Sequence, residues 1–267
     1  MTYKEKLSEI RKQMKADQVE AYIIPSADPH ISEYLPKYYK CIPFTSGFKG
    51  SAGTLVITHD FAGLWTDFRY FEQATEELAE SGFELVKQKV QHAPEYIQWL
   101  GEKLHAGAIV AADEQLLSIL LGDLLTDKLG AKGISLTNKD YLAPIWSDRP
   151  ALPTESAFLL ADTHVGQSVT EKLTSIRASM NEVGAKWHLV SSLDDMAWIF
   201  NIRGKDVNYN PVVLSFALIS ADQATLFIDL TKLDDASKEA LEQAGITLAP
   251  YTSIEQALTA IPEDASI

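Results

Sequence analysis

The sequence predicts an α/β protein made of two tandem domains of related sequence. Short apolar runs alternate with segments of helical periodicity, which is the pattern of a sheet flanked by helices. Residues 6–11 return as residues 172–177. Residues 22–28 then return, without a gap, as residues 188–194. A chain of 267 residues can form two domains of ordinary size, so the repeat indicates a duplicated domain.

The first copy predicts a mixed sheet. Two closely spaced strands surround the turn at His59 and Asp60, which adds an antiparallel hairpin to an otherwise alternating pattern. Asp67 is well placed to cap the helix that follows the hairpin. The predicted elements are a helix through Leu7, Ile10, Met14 and Val19, strands at 21–24, 54–58 and 63–66, a helix at 68–80, a strand at 83–90, a helix at 95–104, a strand at 108–112, a leucine-rich helix and a strand at 134–137.

The second copy repeats this order after a proline-rich linker. We predict a first domain at residues 1–143, a linker at 144–154 and a second domain at 155–267. Three prolines in the linker favour extended structure. The elements predicted in the second copy are a helix from Thr170, a strand at 187–190, a helix from Asp194 and strands at 212–219 and 224–228. The first copy continues through a further strand and helix that the second lacks, so we expect the second domain to be truncated at its C-terminal side.

Composition narrows the class of protein. The net charge of −14 disfavours binding to nucleic acid or to an anionic membrane, because phosphates would meet a repulsive field. The single cysteine, Cys41, excludes an internal disulfide framework and favours a packed thiol in a reducing compartment. No apolar signal core begins the sequence, and its most apolar stretch is too short to span a bilayer. We therefore expect a cytoplasmic protein.

The sequence contains no recognisable catalytic or metal-binding motif. Its six histidines are scattered, without an HExxH pair, and neither a GxSxG elbow nor a Walker lysine motif is present. The glycine-rich run at 45–53 could hold a phosphate, but it leads into a strand rather than a helix, which favours a structural turn. Asp194 and Asp195 stand at a predicted helix start, where acidic side chains are stabilised by the dipole. We predict no catalytic residue and no metal ligand in this chain.

Two places are candidates for binding. Asp28 and His30 follow the first strand, so they could orient a ligand or a neighbouring loop; a hydrogen-bonded turn is an equal alternative. Arg69 lies in the first turn of a predicted helix, where a cation gains nothing from the helix dipole. Its guanidinium would suit a carboxylate or a peptide carbonyl of a ligand, or an internal salt bridge. The residue types alone leave these two alternatives open.

Short motifs throughout the chain form a specific combination. They are AYIIPS at 21–26, SGFKGSAGT at 46–54, WTDFRYF at 65–71, IWSDRP at 145–150, LDDMAWIFNIRG at 193–204 and NPV at 210–212. Together they resemble the three-domain Xaa-Pro aminopeptidases of the creatinase/prolidase superfamily. The resemblance implies two creatinase/prolidase N-terminal-type domains, with a ribonuclease H-like motif in their sheets. In that family a catalytic domain with the pita-bread fold follows, and it is absent from this sequence.

The resemblance also implies a function and partners. The missing domain of the family holds two divalent metal ions, usually manganese, and cleaves the bond between a first residue and a following proline. Arg69 matches an arginine that reaches the substrate in the family, while Phe68 stands where glycine is frequent. The chain is thus expected to be inactive alone and to hold no cofactor. Its expected roles are to narrow access to the cleft, to contact peptides with proline at the second position, and to support assembly with the catalytic domain into a homo-oligomer.

Two other functions remain as alternatives. One is a stand-alone, inactive peptidase-like module that binds proteins; the presence of Arg69 argues against it, because a scaffold needs no substrate-facing guanidinium. The other is an independent hydrolase that uses Asp28, Asp67 or Asp194, which lacks a convincing carboxylate pair.

Overall fold

The protein consists of two compact α/β units. In a computed structural model, which describes residues 1–91 and 93–267, the units are Met1–Ala151 and Leu152–Ile267. Each contains a mixed sheet flanked by helices, which confirms the predicted fold class. The boundary between them falls inside the segment predicted as the linker.

The sheet of the first unit is built around a buried strand. In chain order the unit contains α1 (Tyr3–Ala16), β1 (Ala21–Pro25), α2 (Cys41–Ser46), β2 (Thr54–Thr58), β3 (Ala62–Thr66), α3 (Phe71–Glu77), β4 (Glu84–Lys87), α4 (Glu95–Lys103), β5 (Ile109–Ala112), α5 (Ile119–Gly130) and β6 (Ser135–Asn138). The strand order is β4-β3-β2-β1-β5-β6, in which β2 runs antiparallel to both neighbours and the other pairs are parallel. All five residues of β1 are buried, which explains its continuous apolar sequence.

The second unit repeats the first four positions of this sheet. It contains β7 (Phe158–Leu159), α6 (Val169–Val183), β8 (Trp187–Val190), α7 (Leu193–Ile199), β9 (Ile202–Arg203), β10 (Ser215–Ser220), β11 (Ala224–Ile228), α8 (Asp235–Gln243), β12 (Thr247–Pro250) and α9 (Ile254–Thr259). The order β12-β11-β10-β8 reproduces β4-β3-β2-β1 with the same strand directions. The short strands β7 and β9 form a separate antiparallel pair.

The duplication extends to individual hydrogen bonds. Helices α1 and α6 begin with equivalent capping boxes, formed by Thr2 with Glu5 and by Ser168 with Glu171. Closer to the other end of each helix, an arginine donates a hydrogen bond to a backbone carbonyl of the sheet. Arg11 Nε donates to the carbonyl of Thr58 at 2.8 Å, and Arg177 Nε donates to that of Ser220 at 2.9 Å. Helix and sheet are therefore joined in the same way in both copies.

The equivalence also reaches the position of β5. In the first unit, the backbone amide of Glu20 donates to the carbonyl of Ile109, the first residue of β5, at 2.8 Å. In the second unit, the amide of Lys186 donates to the carbonyl of Ser266 at 2.9 Å. Ser266 thus lies beside β8 in the place where a fifth strand begins in the first copy.

Several predicted elements differ in extent. The helix expected at 68–80 is a 3₁₀ turn, Phe68–Tyr70, followed by α3, because the Asp67 carbonyl accepts from the amide of Tyr70 and closes a tighter turn. The strands predicted at 83–90 and 212–219 are shorter in the structure, as β4 and β10. Helix α2 was not predicted, because six residues that include Pro43 give no clear periodicity.

The linker is less extended than its prolines suggest. Residues 143–145, 147 and 148 form turns, and the Trp146 ring stacks on Phe44 with centroids 4.1 Å apart. Arg149 donates to the carbonyl of Tyr38 at 3.0 Å. These contacts attach the first half of the linker to the first unit. In the described part of the chain, no helix is long and apolar enough to cross a membrane.

Candidate functional site

The candidate site lies where β3 ends. Thr66, the last residue of this buried strand, donates from its hydroxyl to the carbonyl of Ala52 at 2.7 Å, which anchors the strand end to the preceding loop. Asp67 follows, with a side chain that is only 4% exposed. Its Oδ1 accepts the backbone amide of Arg69 at 3.1 Å and so fixes the turn that carries the arginine.

Arg69 forms a two-pronged ion pair with Asp67. Its Nε donates to Oδ1 at 2.8 Å and its Nη2 donates to Oδ2 at 2.7 Å. The Asp67 carboxylate raises the pKa of Arg69, mainly through these hydrogen bonds. The arginine side chain is 41% exposed, and its Nη1 forms no hydrogen bond with any residue in the described ranges. The internal salt bridge is therefore present, yet one edge of the guanidinium can still donate to a carboxylate or carbonyl.

Aromatic side chains pack next to the turn that carries Arg69. The Tyr70 hydroxyl lies 2.7 Å from Ser51 Oγ, and its ring packs edge-on against Phe48 with centroids 5.8 Å apart. A Cβ on Gly50 would lie 2.2 Å from the Phe48 ring, so this position requires glycine. The glycine-rich run therefore lets a loop pass over two aromatic rings, which is the structural role that the sequence favoured.

The second unit shows which part of the site the fold needs. There Asp229 follows β11 as Asp67 follows β3, and its Oδ1 accepts the amide of Thr231 at 3.0 Å. Thr231 takes the place of Arg69, and its hydroxyl donates to the same carboxylate oxygen at 2.7 Å. The turn thus forms with a small side chain, and the guanidinium of Arg69 is not needed to build it.

Asp28 and His30 lie in a buried turn. Oδ1 of Asp28 accepts the backbone amides of His30 and Ser32 at 2.9 and 3.0 Å. Both Asp28 and His30 are almost fully buried. Asp28 Oδ2 has no hydrogen-bond partner among residues 1–91 and 93–267. This geometry is that of the hydrogen-bonded turn rather than of a side chain open to a ligand.

The other carboxylate candidates do not form a reactive pair. Both oxygens of Asp67 accept from Arg69. Asp194 and Asp195 occupy the first turn of α7, where Ser192 caps the helix and accepts the amide of Asp195. Within the described residues, no group of three or more His, Cys, Asp or Glu side chains could hold a metal ion.

Cys41 should be chemically inert in the folded protein. It is buried, and this burial raises the pKa of its thiol to about 12, although the nearby Arg149 opposes the rise. At pH 8 we expect a thiol reagent such as Ellman's to leave the native protein unmodified and to titrate one thiol per chain in urea. Rapid reaction of the native protein would contradict the packed-thiol assignment.

Two buried lysines were not predicted from the sequence. Lys172 lies on α6 and Lys232 in a 3₁₀ turn after β11, and both are almost fully buried. The internal repeat points to Lys172, because it aligns this residue with a second lysine, Lys6, in the first copy. Nothing in the sequence pattern marks Lys232, whose partner is Asp206.

The fold defines a class of protein: tandem α/β domains related by duplication. Residues 6–143 match a model of the creatinase/prolidase N-terminal domain, and residues 148–267 match a second model with the same description. The chain therefore belongs to the creatinase/prolidase N-terminal domain family, as the motifs indicated.

Similar proteins extend this result over both units. A "Probable Xaa-Pro aminopeptidase P" of Neurospora crassa is 39% identical over 254 residues, which cover 94% of this chain and 37% of that protein. Another of the same name, from Pyrenophora teres, is 36% identical over 97% of this chain and 40% of its own length. The X-prolyl aminopeptidase of Caenorhabditis elegans, described as a cytosolic enzyme with a di-nuclear active site, superimposes with a TM-score of 0.92 at 30% identity. That match covers 97% of this chain and 44% of the nematode enzyme, so the chain spans less than half the length of these relatives.

Proposed function

We propose that this chain is the non-catalytic N-terminal region of a metal-dependent Xaa-Pro aminopeptidase. The observation that carries the proposal is the match to such proteins over 94% of the chain, through both units and at 39% identity. In this role the two domains shape access to the active-site cleft and are inactive alone. The two divalent metal ions, which we propose to be manganese, belong to a catalytic domain outside this sequence.

Arg69 is proposed to bind the peptide substrate. Its turn is fixed by Asp67, which holds one edge of the guanidinium and leaves Nη1 to donate elsewhere. Holding an arginine in this way lowers the entropy lost when it contacts a carbonyl or carboxylate. The contrast with Thr231, which serves the equivalent turn without a guanidinium, supports a functional reason for the arginine.

An open face of the second unit supports a longer polypeptide. In the first unit, Tyr22 is buried and its ring packs edge-on against Tyr141 at 5.0 Å, in the segment after β6. The counterpart of Tyr22 is His188, which is exposed. Ser266 already pairs with the start of β8 beside it. We propose that a further strand of the same polypeptide continues this pairing and covers β8.

The remaining properties concern the whole enzyme. We propose that its substrates are peptides with proline at the second position, that it works in the cytoplasm, and that the N-terminal domains support a homo-oligomer. Light scattering of the whole gene product would test the last point, since a monomer at micromolar concentration would contradict it.

Replacing Arg69 with threonine tests the proposed substrate contact. Because the equivalent turn forms with Thr231, we expect R69T to keep the turn, with some loss of stability because the nearly buried Asp67 carboxylate loses the Arg69 cation. In the folded whole enzyme, R69T should reduce kcat/KM for an Xaa-Pro peptide by about tenfold or more, the loss of one charged hydrogen bond. Thr231→Ala in the second unit is the matched control and should leave kcat/KM unchanged. Unaltered kcat/KM in R69T would reject the substrate role.

The isolated chain tests the division of labour. With manganese added, the 267-residue chain should release no first residue from an Xaa-Pro peptide, whereas the whole gene product should do so. Hydrolysis by the isolated chain would overturn the assignment as non-catalytic. If the whole gene product also lacked activity, the chain would instead be part of a peptidase-like interaction protein.

A further inference from the structure

A small cavity in the second unit has three basic side chains in its lining. Its volume is about 190 Å³ and it lies between α6, the end of α7 and β9. Three of its lining residues can carry positive charge, and within the described residues none of its lining residues is acidic. The lining comprises Leu160, His164, Val165, Gly166, Gln167, Lys172, Trp198, Asn201 and Arg203. In a protein of net charge −14, such a concentration of cations needs an explanation.

Lys172 lacks a negatively charged partner. It is only 3% exposed, and its Nζ donates to the carbonyl of Trp198 at 2.5 Å and to Oδ1 of Asn201 at 2.6 Å. Both acceptors are uncharged, and an ammonium group has three protons to donate. Burial lowers the pKa of Lys172, and repulsion from Arg203 lowers it further. The ammonium group therefore lies in a place that disfavours its charge.

Arg203 also lacks a negatively charged partner among the residues whose side chains are described. Its Nη1 donates to the carbonyl of Ala197, at 2.5 Å, and to that of Ile202 at 2.9 Å. Among the residues whose side chains the structure describes, none accepts a hydrogen bond from Nε or Nη2, and no carboxylate pairs with the guanidinium. These two nitrogens form the fork that binds carboxylate and phosphate groups elsewhere in proteins.

The first unit contains the same lysine with a different neighbour. Lys6, the counterpart of Lys172, donates from Nζ to the carbonyl of Phe44 at 2.7 Å and lies over the Phe44 ring, as Lys172 lies over that of Trp198. The charge that acts on Lys6 is the carboxylate of Asp148, which favours its protonated form. In the second unit, the lysine and its hydrogen bond to a backbone carbonyl are retained. The charged group that acts on Lys172, however, is the cation of Arg203 rather than a carboxylate.

We propose that this cavity binds the carboxylate or phosphate group of a small molecule, held by Lys172 Nζ and the Nε–Nη2 fork of Arg203. A negative group at this point would neutralise two neighbouring cations that otherwise repel each other in a partly desolvated place. The half-exposed indole of Trp198 at the rim offers an apolar surface to the rest of the ligand. Every residue of this site belongs to the second unit, and none of them takes part in the substrate contact proposed for Arg69.

Titration with two simple anions tests the proposal. Inorganic phosphate and acetate are added separately to the 267-residue chain at constant ionic strength, with chloride as the balancing ion, while ¹H–¹⁵N spectra are recorded. We expect saturable shifts that centre on residues 160–167 and 197–203 and include the Trp198 indole signal. The anion that binds more tightly identifies the kind of group. Shifts that do not saturate for either anion, or that centre on other residues, would reject the site.

Two variants sharpen the result. Arg203→Gln should weaken the tighter anion by about tenfold or more, because the charged fork is lost. Lys6→Met is the matched control, since it removes the equivalent lysine of the first unit, and it should leave the affinity unchanged. Equal affinity in R203Q would overturn the proposal. If R203Q fails to fold, the position of the saturable shifts in the unaltered chain decides alone.

Discussion

Lys232→Met should destabilise the second unit by about 3–5 kcal/mol, the usual cost of leaving a buried charge without its partner. Lys232 Nζ and Asp206 Oδ2 are 2.5 Å apart, and their side chains are 2% and 0% exposed. The same Oδ2 accepts the amide of Leu214 at 2.7 Å, while Oδ1 has no partner among the described residues. Without the lysine, the buried Asp206 carboxylate would keep only the hydrogen bond from the Leu214 amide, and water could not reach it to stabilise its charge.

The destabilisation should depend on pH in a defined direction. Burial raises the pKa of Asp206, and Lys232 opposes that rise, so removing the lysine raises the pKa further. The folded variant then binds a proton that the unfolded chain has already released, and its stability increases as pH falls toward the pKa of the unfolded aspartate. The difference in unfolding free energy between the unaltered protein and K232M should therefore shrink between pH 7 and pH 5.

Urea denaturation at these two pH values measures the effect. Lys238→Met is the control, because Lys238 pairs with the fully exposed Asp235 at 3.8 Å and should change stability by less than about 0.5 kcal/mol. The double variant Asp206→Asn with Lys232→Met should recover much of the loss, since a neutral amide needs no counterion. A loss in K232M that grows as pH falls would contradict the account of a stranded carboxylate.

Local sequence patterns were enough to predict the repeated framework. The apolar run of β1 and the spacing of Leu7, Ile10 and Met14 indicate burial, since most residues on a buried face are apolar. The repeat located the second framework, because equivalent residues such as Arg11 and Arg177 make equivalent bonds. These features depend on neighbours within one or two elements.

The buried charged residues could not be predicted in the same way. Asp206 and Lys232 are 26 residues apart, the first in a bend and the second in a 3₁₀ turn, so no periodicity relates them. The position equivalent to Lys232 in the first unit is Tyr70, whose hydroxyl lies beside Ser51, and so the repeat gives no guidance there. For Arg69, the sequence suggested either a ligand or a salt bridge, but only the geometry shows that one edge of the guanidinium serves Asp67 while Nη1 is left over.

Arg149→Lys should destabilise the first unit by about 2–3 kcal/mol, because a lysine can replace the charge of this arginine but not its planar fork. The guanidinium is only 12% exposed and donates from Nη1 to Asp140 at 3.1 Å and from Nε to the carbonyl of Tyr38 at 3.0 Å. It also lies 3.9 Å from the centre of the Tyr38 ring and 5.1 Å from that of Trp146. One side chain thus attaches the predicted linker to the short 3₁₀ helix Lys37–Tyr39, more than a hundred residues earlier.

R149K itself separates the geometry of the arginine from its charge, because lysine keeps the charge. Lys12→Ala is the surface control. Lys12 pairs with Glu9 on the surface of α1, and its removal should change the unfolding free energy by no more than about 0.5 kcal/mol in urea denaturation. R149K should also change the surroundings of Trp146, visible as a shift in tryptophan emission, because the guanidinium that lies 5.1 Å from its ring centre is lost. If R149K were as stable as the unaltered protein, charge alone would suffice at this position, and the attachment of the linker would depend on Trp146 stacking against Phe44.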